Sequence, residues 1–208
     1  MRRLLALIGM GSVAGLLVGC EGSHGTAAPP QQGMALPVNA ELARANQGPD
    51  RSVGNLELVA EFNNPMQTGV TVSRSGRIFV NMPRWFDPTP FTVGELKQGQ
   101  LSAYPDSNVN RYDDSDYANT FVSVQSVVVD PTDRLWVLDT GSIALGPTRP
   151  NGPKLIAIDL NTNRIVQKIM FPSDVALPTT YLNDIRFDLR RGQGGIAFIT
   201  DSSSLGPP

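Results

Sequence analysis

Ser126-Val127-Val128-Val129-Asp130-Pro131-Thr132-Asp133-Arg134-Leu135-Trp136-Val137 is the stretch on which the fold turns. Its β-branched run, polar turn and second apolar run read as two antiparallel strands joined by a tight connection. The same outline occurs earlier as Gly69-Val70-Thr71-Val72-Ser73-Arg74-Ser75-Gly76-Arg77-Ile78-Phe79-Val80. It occurs again as Asp184-Ile185-Arg186-Phe187-Asp188, a longer turn, and Ile196-Ala197-Phe198-Ile199-Thr200-Asp201. Ser73 and Asp130 stand 57 residues apart, and Asp130 and Asp188 stand 58 apart. A near-constant spacing of this size marks a structural repeat.

A second hairpin follows the first in each complete repeat. Lys154-Leu155-Ile156-Ala157-Ile158-Asp159-Leu160 is a strand, Asn161-Thr162-Asn163 a turn, and Arg164 to Phe171 the return strand. Gly94 to Tyr104, turning near Gln98-Gly99-Gln100, is a weaker version. Two hairpins make a four-stranded antiparallel unit, and such units repeated radially are the blades of a β-propeller. The fold class is therefore all-β, with about three four-stranded antiparallel blades over residues 53–208. Leu135-Trp136-Val137-Leu138 is apolar on both strand faces, as a strand between two neighbouring blades must be. Phe79, Trp136 and Phe198 occupy equivalent positions and read as inter-blade packing. An immunoglobulin-like sandwich would show about seven short strands and no long-range repeat.

The N-terminus sets the compartment. Arg2 and Arg3 precede an apolar run from Leu4 to Val18, which is shorter than the ~20 residues of a membrane span. Charge, apolar core and small residues in that order read as a secretory signal over residues 1–19. Leu17-Val18-Gly19-Cys20 resembles the bacterial lipobox, which implies lipidation of Cys20, the only cysteine. That makes Cys20 a membrane anchor and residues 20–52 its Gly-, Pro- and Gln-rich tether. Ala40 to Ala45 has room for one helical turn, and the single histidine, His24, reads as exposed tether. The expected location is the periplasmic or extracellular face. By resemblance to lipoprotein sorting, Glu21 rather than Asp after the Cys favours the outer membrane of a Gram-negative host. The net charge of −2 becomes −4 once Arg2 and Arg3 leave with the signal, and no basic stripe marks a nucleic-acid partner.

Thr68-Gly69-Val70-Thr71-Val72-Ser73, then Gly76-Arg77-Ile78-Phe79-Val80-Asn81 and Pro83-Arg84-Trp85, resembles the first blade of the major royal jelly/yellow proteins. Arg134-Leu135-Trp136-Val137-Leu138-Asp139-Thr140-Gly141 resembles the second. Pro153 to Leu160 and Tyr181-Leu182-Asn183-Asp184 continue the likeness in order, over roughly Leu56 to Asp201. The resemblance implies a six-bladed propeller. Three blades would then be a truncated sequence, or a half that self-associates, because a half propeller exposes two apolar blade faces.

Ligands of propellers meet the mouth of the central channel, where each innermost strand starts. The repeat places Thr68-Gly69, Gln125-Ser126 and Asn183-Asp184 there. Thr68, Gln125, Asn183 and Asp184 are thus the ligand-channel residues, able to hydrogen-bond a small molecule. For Asn183 and Asp184 a turn-capping role stands beside that reading. Gluconolactonase-like enzymes hold a divalent cation with an Asn at a similar point, which makes Asn183 a metal candidate and a cation such as Ca²⁺ the cofactor of that reading.

Other motifs fall away. Asp139-Thr140-Gly141 resembles an aspartic-protease signature, but Asp201 is followed by Ser202-Ser203 and supplies no second copy. Gly9-Met10-Gly11 lies in the signal, and Arg191-Gly192-Gln193-Gly194-Gly195 joins strand to strand rather than strand to helix. Asp113-Asp114-Ser115-Asp116 lacks the Gly and final Glu of an EF-hand loop. With neither His nor Cys in residues 53–208, no Ser-His-Asp or Cys-His set exists there. The catalytic residues are unassigned. The leading expectation is an extracytoplasmic binding module for a small polar or aromatic-amine ligand. The alternative is a metal-dependent lactonase-like hydrolase or a dopachrome-conversion-type isomerase, and a displayed protein scaffold is a third reading.

Overall fold

The computed structural model describes residues 54–63 and 65–203. The signal at 1–19, Cys20, the tether at 20–52 with His24, and the Ala40–Ala45 turn lie outside them.

The first sheet is β1 (Gly69–Val72), β2 (Ile78–Asn81), β3 (Val93–Lys97) and β4 (Gln100–Ala103), paired in sequence order. The second is β5 (Val124–Val129), β6 (Arg134–Asp139), β7 (Lys154–Asp159) and β8 (Arg164–Met170), again in order. The third, among the described residues, is the pair β9 (Leu182–Asp188) and β10 (Ile196–Asp201). All pairings are antiparallel. These are two complete propeller blades and the inner hairpin of a third, as the repeat predicts. One element is new. A short helix, α1 (Ser107–Asn110), interrupts the connection between blades, and the Asp106 carboxylate caps it by accepting from the Asn108 and Val109 N–H groups.

The repeat is visible in the turns. Ser73, Asp130 and Asp188 each precede the hairpin connection, and Arg77, Arg134 and Ile196 pair with them across it. The residue just before each of these partners, Gly76, Asp133 or Gly195, has positive φ, at 83°, 62° and 85°. Glycine tolerates that conformation, and Asp is among the few side chains that adopt it.

Two apolar clusters fill the spaces between blades. Phe79, Val93 and Tyr104 of the first blade meet Val124, Val127, Leu135, Val137, Ile156 and Ile158 of the second. Trp136, Leu138, Leu155 and Ala157 meet Leu182 and Ile185 of the third. The Trp136 ring lies 4.9 Å from that of Phe187. Phe79 and Trp136 are thus inter-blade residues. Phe198, expected to match them, is 53% exposed, because no described residue packs against its face of β10.

Candidate functional site

The innermost strands β1, β5 and β9 begin at one end of the blades. The long connections 82–92, 140–153 and 171–181 lie at that end, and the tight hairpin turns lie at the other. Two of the three strands start irregularly. The β5–β6 register shifts between Val124 and Ser126, leaving Gln125 as the extra residue. The β9–β10 register shifts between Ile199 and Asp201, at Asn183 and Asp184. A β-bulge re-aims the side chain it carries and recurs beside functional sites. Three of the four residues expected to line the channel therefore sit on bulges, a feature that no local pattern reveals.

The structure brings these residues together across blades. Thr68 Oγ1 donates to the Gln125 carbonyl at 3.3 Å and accepts from Asn81 Nδ2 at 2.7 Å. Gln125 Nε2 donates to Asn183 Oδ1 at 3.1 Å. Ser126 Oγ donates to Asp184 Oδ1 at 2.8 Å. These partners are repeat equivalents, one blade apart. Asn183 turns its Nδ2 to Ser202 Oγ at 2.8 Å, whereas Asp184 also takes a bond from Arg186 Nη1 at 2.6 Å. The two neighbours therefore serve different partners, as alternation along a strand requires. Among the described residues no group of three or more His, Cys, Asp or Glu side chains gathers. Asn183 Oδ1 and Asp184 Oδ1 already accept hydrogen bonds from the protein.

Two aromatic residues join the cluster from the connections. Trp85 Nε1 donates to the Tyr181 hydroxyl at 2.6 Å, and that hydroxyl donates to Gln125 Oε1 at 3.1 Å. Trp85 belongs to the first blade and Tyr181 leads into the third, so this contact spans the start of β5. The segment holding Trp85 is pinned by its neighbour Arg84. The Arg84 N–H donates to Ser123 Oγ, its guanidinium to the Thr89 and Asn110 carbonyls, and the charge sits 5.7 Å from the Tyr112 ring. Burial raises the Tyr181 phenol above its ordinary value, against a smaller opposing effect of the Trp85 bond, so the hydroxyl is protonated at neutral pH. Trp85, Tyr181 and Ser202 were not among the expected site residues. Each is an ordinary loop residue in the sequence, and only the contact over a distance of 96 positions makes Trp85 and Tyr181 partners.

Asp139 is structural. Its Oδ1 accepts from the Ser123 and Gly141 N–H groups, and Asp201 Oδ1 accepts from the equivalent Tyr181 and Ser203 N–H groups. The two aspartates are the same strand-end clamp in successive blades, which accounts for Asp139-Thr140-Gly141 without proteolysis. Asp139 Oδ2 also meets Lys154 Nζ at 2.8 Å, with both side chains essentially buried.

The family described as Major royal jelly protein matches residues 122–206. Over 140 residues, 62% of this chain, the chain is 32% identical to Protein yellow of Drosophila madeirensis, covering 24% of that protein. It is 31% identical to Protein yellow of Drosophila pseudoobscura pseudoobscura, covering 25%, and 30% identical to that of Drosophila melanogaster, covering 26%, over the same share of the chain. The chain spans about a quarter of the length of these curated relatives.

Proposed function

The chain belongs to the major royal jelly protein family, and from that premise we propose that it is an exported, lipid-anchored propeller module that binds a small polar ligand where its innermost strands start. The carrying observation is the convergence of Gln125, Asn183, Tyr181 and Trp85 from three successive blades into one hydrogen-bonded cluster. Gln125 is at its centre, only 8% exposed, and a bulge directs its amide along the end of the blades. Amide and phenol groups held by neighbours are pre-organised, so a ligand that exchanges with them meets little ordering cost. Export and anchoring rest on Leu17-Val18-Gly19-Cys20 behind an apolar leader.

The test is a calorimetric screen of the full chain against small polar molecules, acids and amines alike, with Gln125→Ala in parallel. Binding that weakens at least about tenfold in the variant supports the channel reading, since a buried amide that bonds the ligand is worth on the order of 1–2 kcal/mol. Binding that is indifferent to Gln125, or no binding at all, sinks it. Metal content of the same preparations, with Asn183→Ala, decides the hydrolase alternative. About one Ca²⁺ per chain, lost in the variant, would replace the binding reading with the metal-dependent one.

A further inference from the structure

The hydrogen bonds at the strand starts have a direction. An indole N–H can only donate. Trp85 Nε1 donates to the Tyr181 oxygen at 2.6 Å, so the phenol's single hydrogen is free for Gln125 Oε1, 3.1 Å away. With its oxygen committed to Tyr181, Gln125 presents Nε2 to Asn183 Oδ1 at 3.1 Å. Asn183 in turn presents Nδ2 to Ser202 Oγ at 2.8 Å. Among the described residues Ser202 accepts that bond and donates none of its own, and its side chain is exposed. Its place is fixed by the repeat. The Ser202 N–H donates to the Tyr181 carbonyl, as the Thr140 N–H does to that of Ser123 one blade earlier.

We infer that Trp85 is the specificity-determining residue of this site: by donating to Tyr181 it orients the Gln125 and Asn183 amides and leaves Ser202 O–H as the terminal donor, so the site favours a ligand that brings a carboxylate or carbonyl oxygen over one that brings an ammonium group. The inference rests on the channel reading above and narrows its ligand class. Each amide in the chain uses one N–H internally and has a second to give. Chained bonds polarise one another, which strengthens the terminal donor. Without the indole, nothing fixes the direction. Tyr181 can accept from Gln125 Nε2, both amides can reverse, and the discrimination disappears.

Two matched probes test this, benzoate and benzylammonium, titrated into the ¹⁵N-labelled full chain while the Gln125, Asn183 and Trp85 side-chain N–H resonances are followed. The expected wild-type result is benzoate binding at least about fivefold tighter, the equivalent of one ordinary hydrogen bond made rather than opposed. In Trp85→Phe the ratio should fall to about one while the backbone spectrum outside 82–92 is retained. Tyr181→Phe interrupts the chain one link later and should lower the ratio in the same way. Benzylammonium binding as well as or better than benzoate, a ratio unchanged in both variants, or no response of these resonances to either probe would each overturn the inference. The channel reading fails separately, when no member of the wider screen binds through Gln125 or when the metal measurement replaces it. The unliganded protein gives a further readout: the Trp85 Nε1–H should exchange slowly in the wild type and quickly in Tyr181→Phe. Equal exchange would show that the bond starting the chain is absent and would also overturn the inference.

Discussion

Lys154 and Asp139 carry opposite charges inside the second blade, and every donor of the ammonium group is used. Lys154 Nζ donates to Asp139 Oδ2 and to the Tyr117 and Gly152 carbonyls, all within 2.8–2.9 Å. Truncating one member of such a pair strands the other charge away from water. Lys154→Met is expected to lower the unfolding free energy by about 3–5 kcal/mol in urea denaturation, with much of the loss recovered in Lys154→Met/Asp139→Leu. Asp130 sets a pH dependence. Burial pushes its carboxyl up, but bonds from Trp136, Thr132 and Arg134 together outweigh burial and hold it below the ordinary value. A carboxyl depressed in the folded state contributes fully above the unfolded value near pH ~4 and loses that contribution as pH falls through the folded one. Asp130→Asn should therefore be less stable than the wild type at neutral pH and show a shallower loss of stability below about pH 4, read from denaturant midpoints across an acid series.

At the scale of strands, the start of β1 is the tightest fit. A Cβ on Gly69 would lie 2.4 Å from Asn81 Oδ1. Asn81 is fully buried, its Nδ2 is used by Thr68 and the Val124 carbonyl, and its Oδ1 has no hydrogen-bond partner among the described residues. Gly69→Ala should therefore destabilise by about 1–3 kcal/mol in thermal or urea unfolding, the cost of overpacking a filled site. The partner change Asn81→Ala should relieve part of it, whereas an unclashing Gly69→Ala would leave the two variants additive. The hairpin turns at the opposite end are tied by Arg77. It bonds Glu95 twice, the Leu160 carbonyl and Asn163, so the lysine- and tyrosine-lined cavity of about 240 Å³ beside it is a seam between blades.

Across the described blades, burial falls from the second blade to the third hairpin. β6 and β7 are buried between neighbours, with Leu135, Val137, Ala157 and Ile158 fully enclosed. β9 and β10 cover one apolar cluster and leave Ile196 and Phe198 at 41% and 53% exposure. Amide exchange should accordingly be slowest in β6 and β7 and fastest, among the sheet strands, in β10. Equal protection of β7 and β10 would show that the third hairpin is held by contacts other than these.

The sequence by itself determined the repeat, the strands and the chain's order. Alternation, tight turns and a spacing of 57 or 58 residues are local or periodic properties, and all ten strands among the described residues fall where they predict. It also located Thr68, Gln125, Asn183 and Asp184 at the strand starts, because equivalent positions in a repeat occupy equivalent places. Only the tertiary structure decided which groups those residues meet. The bulges at Gln125 and at Asn183–Asp184 arise from pairing with β6 and β10. The Trp85–Tyr181 contact forms only when the first and third blades flank the second. The physical reason is that a hydrogen bond depends on distance and direction in space. Residues 96 positions apart leave no periodic trace of one in the sequence.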